Sequence, residues 1–410
     1  MPELFTVLPP RQALQKLFTH LSPHMPVELI ETSRALNRVL AEAPRAHSPL
    51  PAFPRSTMDG YAVRAADTFG ASESLPAYLT VIGESPMGAA PTRSVDRGEA
   101  MIIHTGGMLP DGADAVVMIE RTQKTTDNEI EVMRAVAPGE NVLQVGEDVK
   151  PGDPLFTSGH LLRPQDLGGL MALGITQVSV AKQPRVGILA TGDEVIDPHD
   201  EPQPGQVRDV NTYSIGGLVE RAGGIAKPGG IVRDDFVALY EAASDLLARS
   251  DALVLSAGSS VSVRDMTAEV IGKLGQPGVL VHGVSIKPGK PTIIAVCDGK
   301  PVFGLPGNPV SAMVVGDLFI TPTLWKMQGC EHPPLRQTIH ARLTHNLASV
   351  PGRVDYVQVK LIERGGELWA EPIFGKSNLI YTLVKAEGML IIPADANGLA
   401  AGDMADVRLF

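Results

Sequence analysis

Aromatic residues are scarce, at 4% of the chain, and only two cysteines occur, Cys297 and Cys330. No CxxC pair is present, so neither a zinc site nor a disulfide framework is indicated. Positive charge is in deficit: 35 Lys and Arg stand against 46 Asp and Glu, for a formal net charge of −11. That balance argues against duplex nucleic acid and anionic membrane as main partners. No apolar run reaches the ~18 residues that a membrane span needs. The opening MPELFTVLPPRQ lacks the cationic start and apolar core of a signal peptide, so a cytoplasmic location is expected. No GxGxxG follows a strand, and there is no HExxH or GxSxG. Gly375-Lys-Ser resembles the end of a Walker A loop, but Ala370 stands where that loop needs glycine, and the stretch lies in a β-rich tail.

Glycine and proline are plentiful, with 42 and 34 residues in a chain of 410. They sit between well-formed apolar runs, which points to tight turns rather than disorder. The length predicts two to four domains. Amphipathic spacing predicts helices over 11–21 and 32–41. Residues 56–148 read as β-rich, with strands at 78–82, 99–103, 113–118 and 129–134. A return over 149–180 includes a helix at 164–173 with proline in its first turn. From 184 to 327, strands alternate with helices: strands at 186–190, 252–256, 292–296 and 301–305, and helices at 212–222, 236–249, 266–274 and 309–324. This alternation predicts a parallel sheet covered on both faces. After Cys330 the helical rhythm stops, and strands are expected at 337–343, 354–362, 388–392 and 405–409.

The stretch from Val284 to Ala312 carries the strongest chemistry. Lys287 and Lys290 are held by Pro288, Gly289 and Pro291, and the loop Gly304-Leu-Pro-Gly-Asn-Pro precedes a helix at Pro309. Two cations beside a rigid, glycine-bearing loop predict a phosphate-bearing ligand. Loops at 191–194, 256–265 and 304–309 all follow apolar strands, and a parallel sheet brings such loops to one edge. They supply Asp193, Glu194, Ser256, Gly258 and Asp265 to that edge. The pair Asp234 and Asp235 precedes a helix, so one is expected to cap it while the other is free for a cation. Asp209 or Asn211 is expected to cap the helix at 212. Other candidates have plain structural readings: Asp59 in Ser56-Thr-Met-Asp-Gly as a turn residue, Thr105 in a Gly-rich turn, His104 as a partnered histidine, and Asp148 in a solvated turn. The residues alone predict a phosphorylated, nucleotide-like ligand with Mg²⁺ held by aspartates.

STMDGYAV, HTGG-x-LPDGADAVV, TGDE, IKPGKP and GLPGNPVSA, in this order and spacing, resemble the molybdopterin molybdenumtransferases, the MoeA proteins related to the E domain of gephyrin. The resemblance runs from about Arg11 to Phe410. It implies an elongated part from 1–50 and 149–183, a β-rich domain over 51–148, an α/β molybdopterin-binding domain over 184–327 and a C-terminal β-barrel over 328–410. It also implies a homodimer with shared active sites, with cofactor-accepting or upstream biosynthetic proteins as partners. The implied reaction is Mg²⁺-assisted insertion of molybdate into adenylylated molybdopterin with release of AMP. Carried onto matching positions, Lys287 and Lys290 hold phosphates, helped by Ser256, Gly258, Pro306, Asn308 and Pro309. Asp265 with Asp234 or Asp235 binds Mg²⁺, Asp59 and Glu194 line the reacting centre beside Asp265, and Thr105 and Asp148 stand near it. One stretch departs from the family pattern: Ser256-Ala-Gly-Ser-Ser-Val-Ser-Val-Arg-Asp carries Ala257 and Ser262 in place of glycines, and Arg264 beside Asp265. A Cβ at 257 forbids an easy positive φ. A non-catalytic molybdopterin-binding or scaffold protein of the same fold is therefore the alternative expectation.

Overall fold

A computed structural model describes residues 7–21, 25–257 and 261–410, without the side chains of 261–264. Gly258 therefore lies outside the described residues, as does the side chain of Arg264.

The apolar runs of the α/β region assemble into one six-stranded sheet. Its order is Ile225–Val232, Arg185–Thr191, Ala252–Ala257, Lys300–Pro306, Ile293–Cys297, Pro277–His282. The first four strands are parallel. The last two join by antiparallel pairing, so the sheet is mixed rather than wholly parallel. The reason is local. Asp298 (φ 50°) and Gly299 (φ 83°) make a two-residue reversal between Ile293–Cys297 and Lys300–Pro306. Left-handed φ at both positions matches the twist of a tight hairpin and leaves no room for a crossover helix. Helices Asn211–Arg221, Phe236–Ala248 and Val261–Lys273 pack on this sheet. Ile188 and Val254 face one core, and Leu189 and Leu255 the other; all four are fully buried. Each such side chain contributes roughly 1.5–3 kcal/mol of burial, so the central strands are the most firmly held part of the domain.

The helix expected over 309–324 is interrupted. Pro309–Val315 and Thr321–Met327 are α-helical, but Gly316–Ile320 is a π-turn. The helix over 32–41 does not form. Thr32–Arg34 is a single 3-10 turn, Asn37 sits at φ 60°, and Val39 and Leu40 bridge to Leu161 and Val180. Pairing with the returning segment outweighs local helical spacing. Just before it, Val27–Glu31 forms an antiparallel pair with Gln177–Ala181. The helix Pro164–Ala172 starts as expected, with Asp166 accepting from the Arg163 backbone.

The β-rich sheet runs Ala115–Met118, Gly60–Val63, Glu99–Ile103, Ala77–Glu84, Glu129–Val132, Thr122–Thr126. Gly60 opens a strand that sequence spacing did not reveal. A Cβ there would collide with the Val117 carbonyl, so glycine is required by the neighbouring backbone. In the tail, Val354–Arg364, Glu367–Pro372, Thr338–Leu343, Met404–Leu409 and Gly388–Ile392 pair in sequence, and the last returns to the first, closing a five-stranded barrel. Closure removes the exposed edges that an open sheet presents. The two-residue strand Ile286–Lys287 pairs in parallel with Val354 and Asp355, tying the α/β domain to the barrel.

Candidate functional site

Parallel strands end at one edge of the central sheet, and the antiparallel strand Ile293–Cys297 begins there. The loop carrying Lys287 and Lys290 therefore lies beside the loop that follows Lys300–Pro306. The lysine loop is held from inside. Lys290 O accepts from the backbone N–H groups of Val284 and Thr292, both at 2.9 Å. Gly289 O accepts from the buried Thr292 hydroxyl at 2.6 Å. The two lysine side chains are left exposed.

A cavity of about 1070 Å³ opens between this loop and the barrel. From the α/β domain it takes Lys287, Lys290, Pro306 and Asn308; from the barrel it takes Arg353, Asp355 and Gly375 to Asn378. Among the described residues four cations line it, Lys287, Lys290, Arg353 and Lys376, against one carboxylate, Asp355. Asn308 donates its Nδ2 to the Ser377 hydroxyl at 3.0 Å, and Val310 N donates to Ser377 O at 3.1 Å, so the Gly375-Lys-Ser loop is docked on the start of the following helix. Arg353 and Lys376 went unidentified in the sequence. Gly375-Lys-Ser has a local signature but lies in the β-rich tail, and nothing in the local pattern marks Arg353. Pro309 is the buried first residue of its helix and does not line the cavity.

A second group stands along the same sheet edge. Asn211 donates to Ser256 Oγ at 2.8 Å and to Gly307 O at 2.9 Å, joining the strand end at 256 to the loop before Pro309. Asp234 Oδ1 accepts from the Thr191 hydroxyl at 2.8 Å. Asp235 accepts from Ala238 N at 2.9 Å and so is the helix cap, leaving Asp234 as the aspartate of the pair not used in this way. Asp209, not Asn211, caps the preceding helix by accepting from Thr212 N at 3.1 Å. Glu194 is half-buried and folds back over Gly192, at φ 149°, where a Cβ would come within 2.9 Å of its carboxylate. Asp265 is exposed on the helix Val261–Lys273. Ala257 is a buried strand residue paired with Pro306 and has no positive φ, so the extra Cβ at this departure from the family pattern costs no backbone strain.

A third group lies in the β-rich domain. Asp59 Oδ1 accepts from the backbone N–H of Thr105 at 2.8 Å and from its hydroxyl at 3.2 Å. His104 stands between Asp59, at 3.6 Å, and Glu84, at 3.0 Å. The Thr105 backbone bond, then its hydroxyl and His104, hold the Asp59 carboxyl below the usual range against the opposing effect of burial. Asp59 thus does more than make a turn, and it is paired with Thr105 from a distant stretch. Asp148 is exposed in a turn where its N–H meets Leu50 O, apart from these contacts.

Among the described residues no three His, Cys, Asp or Glu side chains converge as a metal cage. Mg²⁺ keeps much of its water and commonly rides on substrate phosphates with one or two protein carboxylates. Asp234, oriented by Thr191, and the exposed Asp265 suit that use; Asp235 is already engaged as a cap.

These features define a multidomain α/β protein with a cationic chamber between its α/β domain and a C-terminal β-barrel. Family models match in three consecutive stretches: the MoeA N-terminal region (domain I and II) over 8–174, the probable molybdopterin-binding domain over 187–326, and the MoeA C-terminal region (domain IV) over 340–410. A putative molybdopterin biosynthesis protein of Methanocaldococcus jannaschii is 38% identical over 404 residues, covering 96% of this chain and 95% of its own length. A molybdopterin molybdenumtransferase of Bacillus subtilis is 31% identical over 415 residues, covering 100% of this chain and 95% of its own. The crystal structure of a molybdopterin biosynthesis MoeA protein from Pyrococcus horikoshii superposes with a TM-score of 0.85 at 33% identity, covering 99% and 100% of the two chains. The chain belongs to the MoeA family of molybdopterin molybdenumtransferases, enzymes of molybdenum cofactor biosynthesis. Among the described residues no helix is long and apolar enough to cross a membrane.

Proposed function

We propose that this chain inserts molybdate into adenylylated molybdopterin with release of AMP, assisted by Mg²⁺. The observation that carries this reading is the cavity whose four cations come from two domains, Lys287 and Lys290 on one wall and Arg353 and Lys376 on the other. Both substrates are anions, and an excess of fixed positive charge neutralises them without reorganisation at the moment of reaction. Lysines act as point charges for phosphate, whereas the planar Arg353 fork suits an oxyanion. Ser256, Asn308 and Pro306 shape the sheet edge that receives the ligand, with Pro309 starting the helix behind it.

In this reading Asp234 and Asp265 orient the water shell of Mg²⁺, which supplies charge neutralisation where AMP leaves. Glu194 approaches the reacting centre from the sheet edge. Asp59 and Thr105 sit in the β-rich domain, and their side-chain hydrogen bonds among the described residues stay within it. That supports a homodimer in which one subunit's β-rich domain, with Asp59, Thr105 and Asp148, completes the partner's site. The division into 51–148, 184–327 and 328–410 is then functional, with 1–50 and 149–183 forming the elongated part. The product passes to a cofactor-accepting protein.

The test is AMP release by purified protein supplied with Mg²⁺, molybdate and adenylylated molybdopterin. AMP release dependent on all three is expected. No AMP, under conditions in which the Bacillus subtilis relative turns over, rejects the reading; ligand binding without AMP would indicate the non-catalytic alternative.

A further inference from the structure

The cavity described above is cationic, yet one carboxylate is buried in its wall. Asp355 is 3% exposed, and it is the acidic residue among the described residues lining the chamber. An anion entering this space meets a fixed negative charge that lowers the local potential. Burial of that charge is itself costly unless it is closely paired.

Its partners are the cations that face the ligand. Arg353 Nε reaches Asp355 Oδ1 at 2.8 Å, and Arg353 Nη2 reaches Oδ2 at 3.4 Å, a side-on fork. Lys287 Nζ lies 4.0 Å from Oδ2. The backbone enforces both contacts. Lys287 and Asp355 are register partners in the parallel pair between Ile286–Lys287 and the barrel strand Val354–Arg364, and Arg353 immediately precedes that strand. One carboxylate thus grips Arg353 by hydrogen bonds and attracts Lys287 from the opposite wall, while the Arg353 and Lys287 side chains remain 34% and 60% exposed. Free arginine and lysine side chains lose much rotamer freedom on gripping a ligand, and ordering them beforehand reduces that loss.

Resting on the proposed reading of the chamber, we infer that Asp355 is a positioning residue: it pre-orders Arg353 and Lys287 for the oxyanion, at the cost of one unit of favourable potential. Positioning and plain electrostatics predict opposite signs. If Asp355 only dilutes the positive field, Asp355→Asn removes a repulsive charge and molybdate binds more tightly. If Asp355 positions the cations, Asp355→Asn frees them and molybdate binds more weakly.

The experiment is calorimetric titration of the full-length protein with molybdate, alongside KM and kcat in the AMP-release assay. For Asp355→Asn we expect roughly tenfold weaker molybdate binding, an increase in KM for molybdate of the same order and a kcat changed by about twofold at most. Arg353→Lys keeps the charge but loses the fork. It is expected to weaken binding to a similar extent, and the double variant to be no weaker than either single one, because both remove the same ordered unit. Unchanged or tighter binding by a folded Asp355→Asn protein overturns the inference, as does simple additivity in the double variant. If Asp355→Asn does not fold, Asp355→Glu decides, because it keeps the charge but displaces the carboxylate from Arg353: unchanged affinity overturns positioning, and loss of affinity despite retained charge supports it. Absence of molybdate binding by the wild-type protein overturns the reading of the chamber and this inference with it, whereas wild-type binding with a tighter variant overturns the inference alone.

Discussion

Gly289 links the fold to the site more directly than any other single position, and replacing it with alanine tests that link. The residue sits at φ 109°, between the two lysines of the chamber. An L side chain held there costs about 1–3 kcal/mol of backbone strain. The new Cβ would lie 2.7 Å from Val315 Cγ2 and 3.0 Å from Ile286 Cδ1, both on buried side chains. Overpacking of that kind adds about 1–3 kcal/mol. The loop cannot simply rotate away, because Gly289 O is held by the buried Thr292 hydroxyl. Gly289→Ala is therefore expected to lose roughly 2–6 kcal/mol, and to shift Lys287 and Lys290 enough to weaken molybdate binding. Gly152 provides the control: it has φ 89° but open space where a Cβ would go, so Gly152→Ala is expected to lose only the backbone part, about 1–2 kcal/mol, with binding intact. Denaturant unfolding followed by far-UV circular dichroism reads the stability of both variants, and calorimetry reads the site. A Gly289→Ala protein within about 1 kcal/mol of wild type that binds molybdate normally would refute the account of this loop.

Other outcomes follow from side chains outside the chamber. The Asp166 carboxyl is buried, which alone would raise its pKa, but hydrogen bonds from Arg163 and His160 outweigh burial and hold it at about 2. A depressed carboxyl stabilises the fold above its unfolded value and loses that contribution as pH falls towards the folded one. Because Arg163 is 57% exposed and screened, Asp166→Asn is expected to cost roughly 1–2 kcal/mol at neutral pH, with the gap to wild type closing between pH 4 and 2. A gap that persists undiminished at pH 2.5 in unfolding curves would contradict this. Asp235→Ala removes a helix cap and is expected to lose about 1 kcal/mol of stability with AMP release little changed. Asp234→Asn should do the reverse, lowering AMP release more than stability and raising the Mg²⁺ requirement; parallel thermal melts and Mg²⁺ titrations distinguish the two.

Much of this protein was legible in its sequence because it is encoded locally. Strand periodicity marked Glu99–Ile103 and Gly388–Ile392 to the residue, since alternating or continuous burial writes itself into neighbouring positions. Turn chemistry marked the Gly304 to Pro309 loop, and the capping rule foresaw that one of Asp234 and Asp235 would be used by a helix. The KPGKP stretch declared its two cations. The tertiary structure decided what lies opposite them. Residues 32–41 have helical spacing, but Val39 and Leu40 pair with Leu161 and Val180, more than a hundred residues later, and long-range pairing outweighs a weak local preference. Gly60 looked like half of a turn until Val117 came against it. Arg353 and Asp355 carry no local signature, and Lys376 only a partial Walker A likeness, because their role exists only where barrel closure and one parallel pairing bring them to Lys287. Periodicity is a property of neighbours in sequence; the charge of a chamber is a property of neighbours in space, and only the packing of two domains determines it.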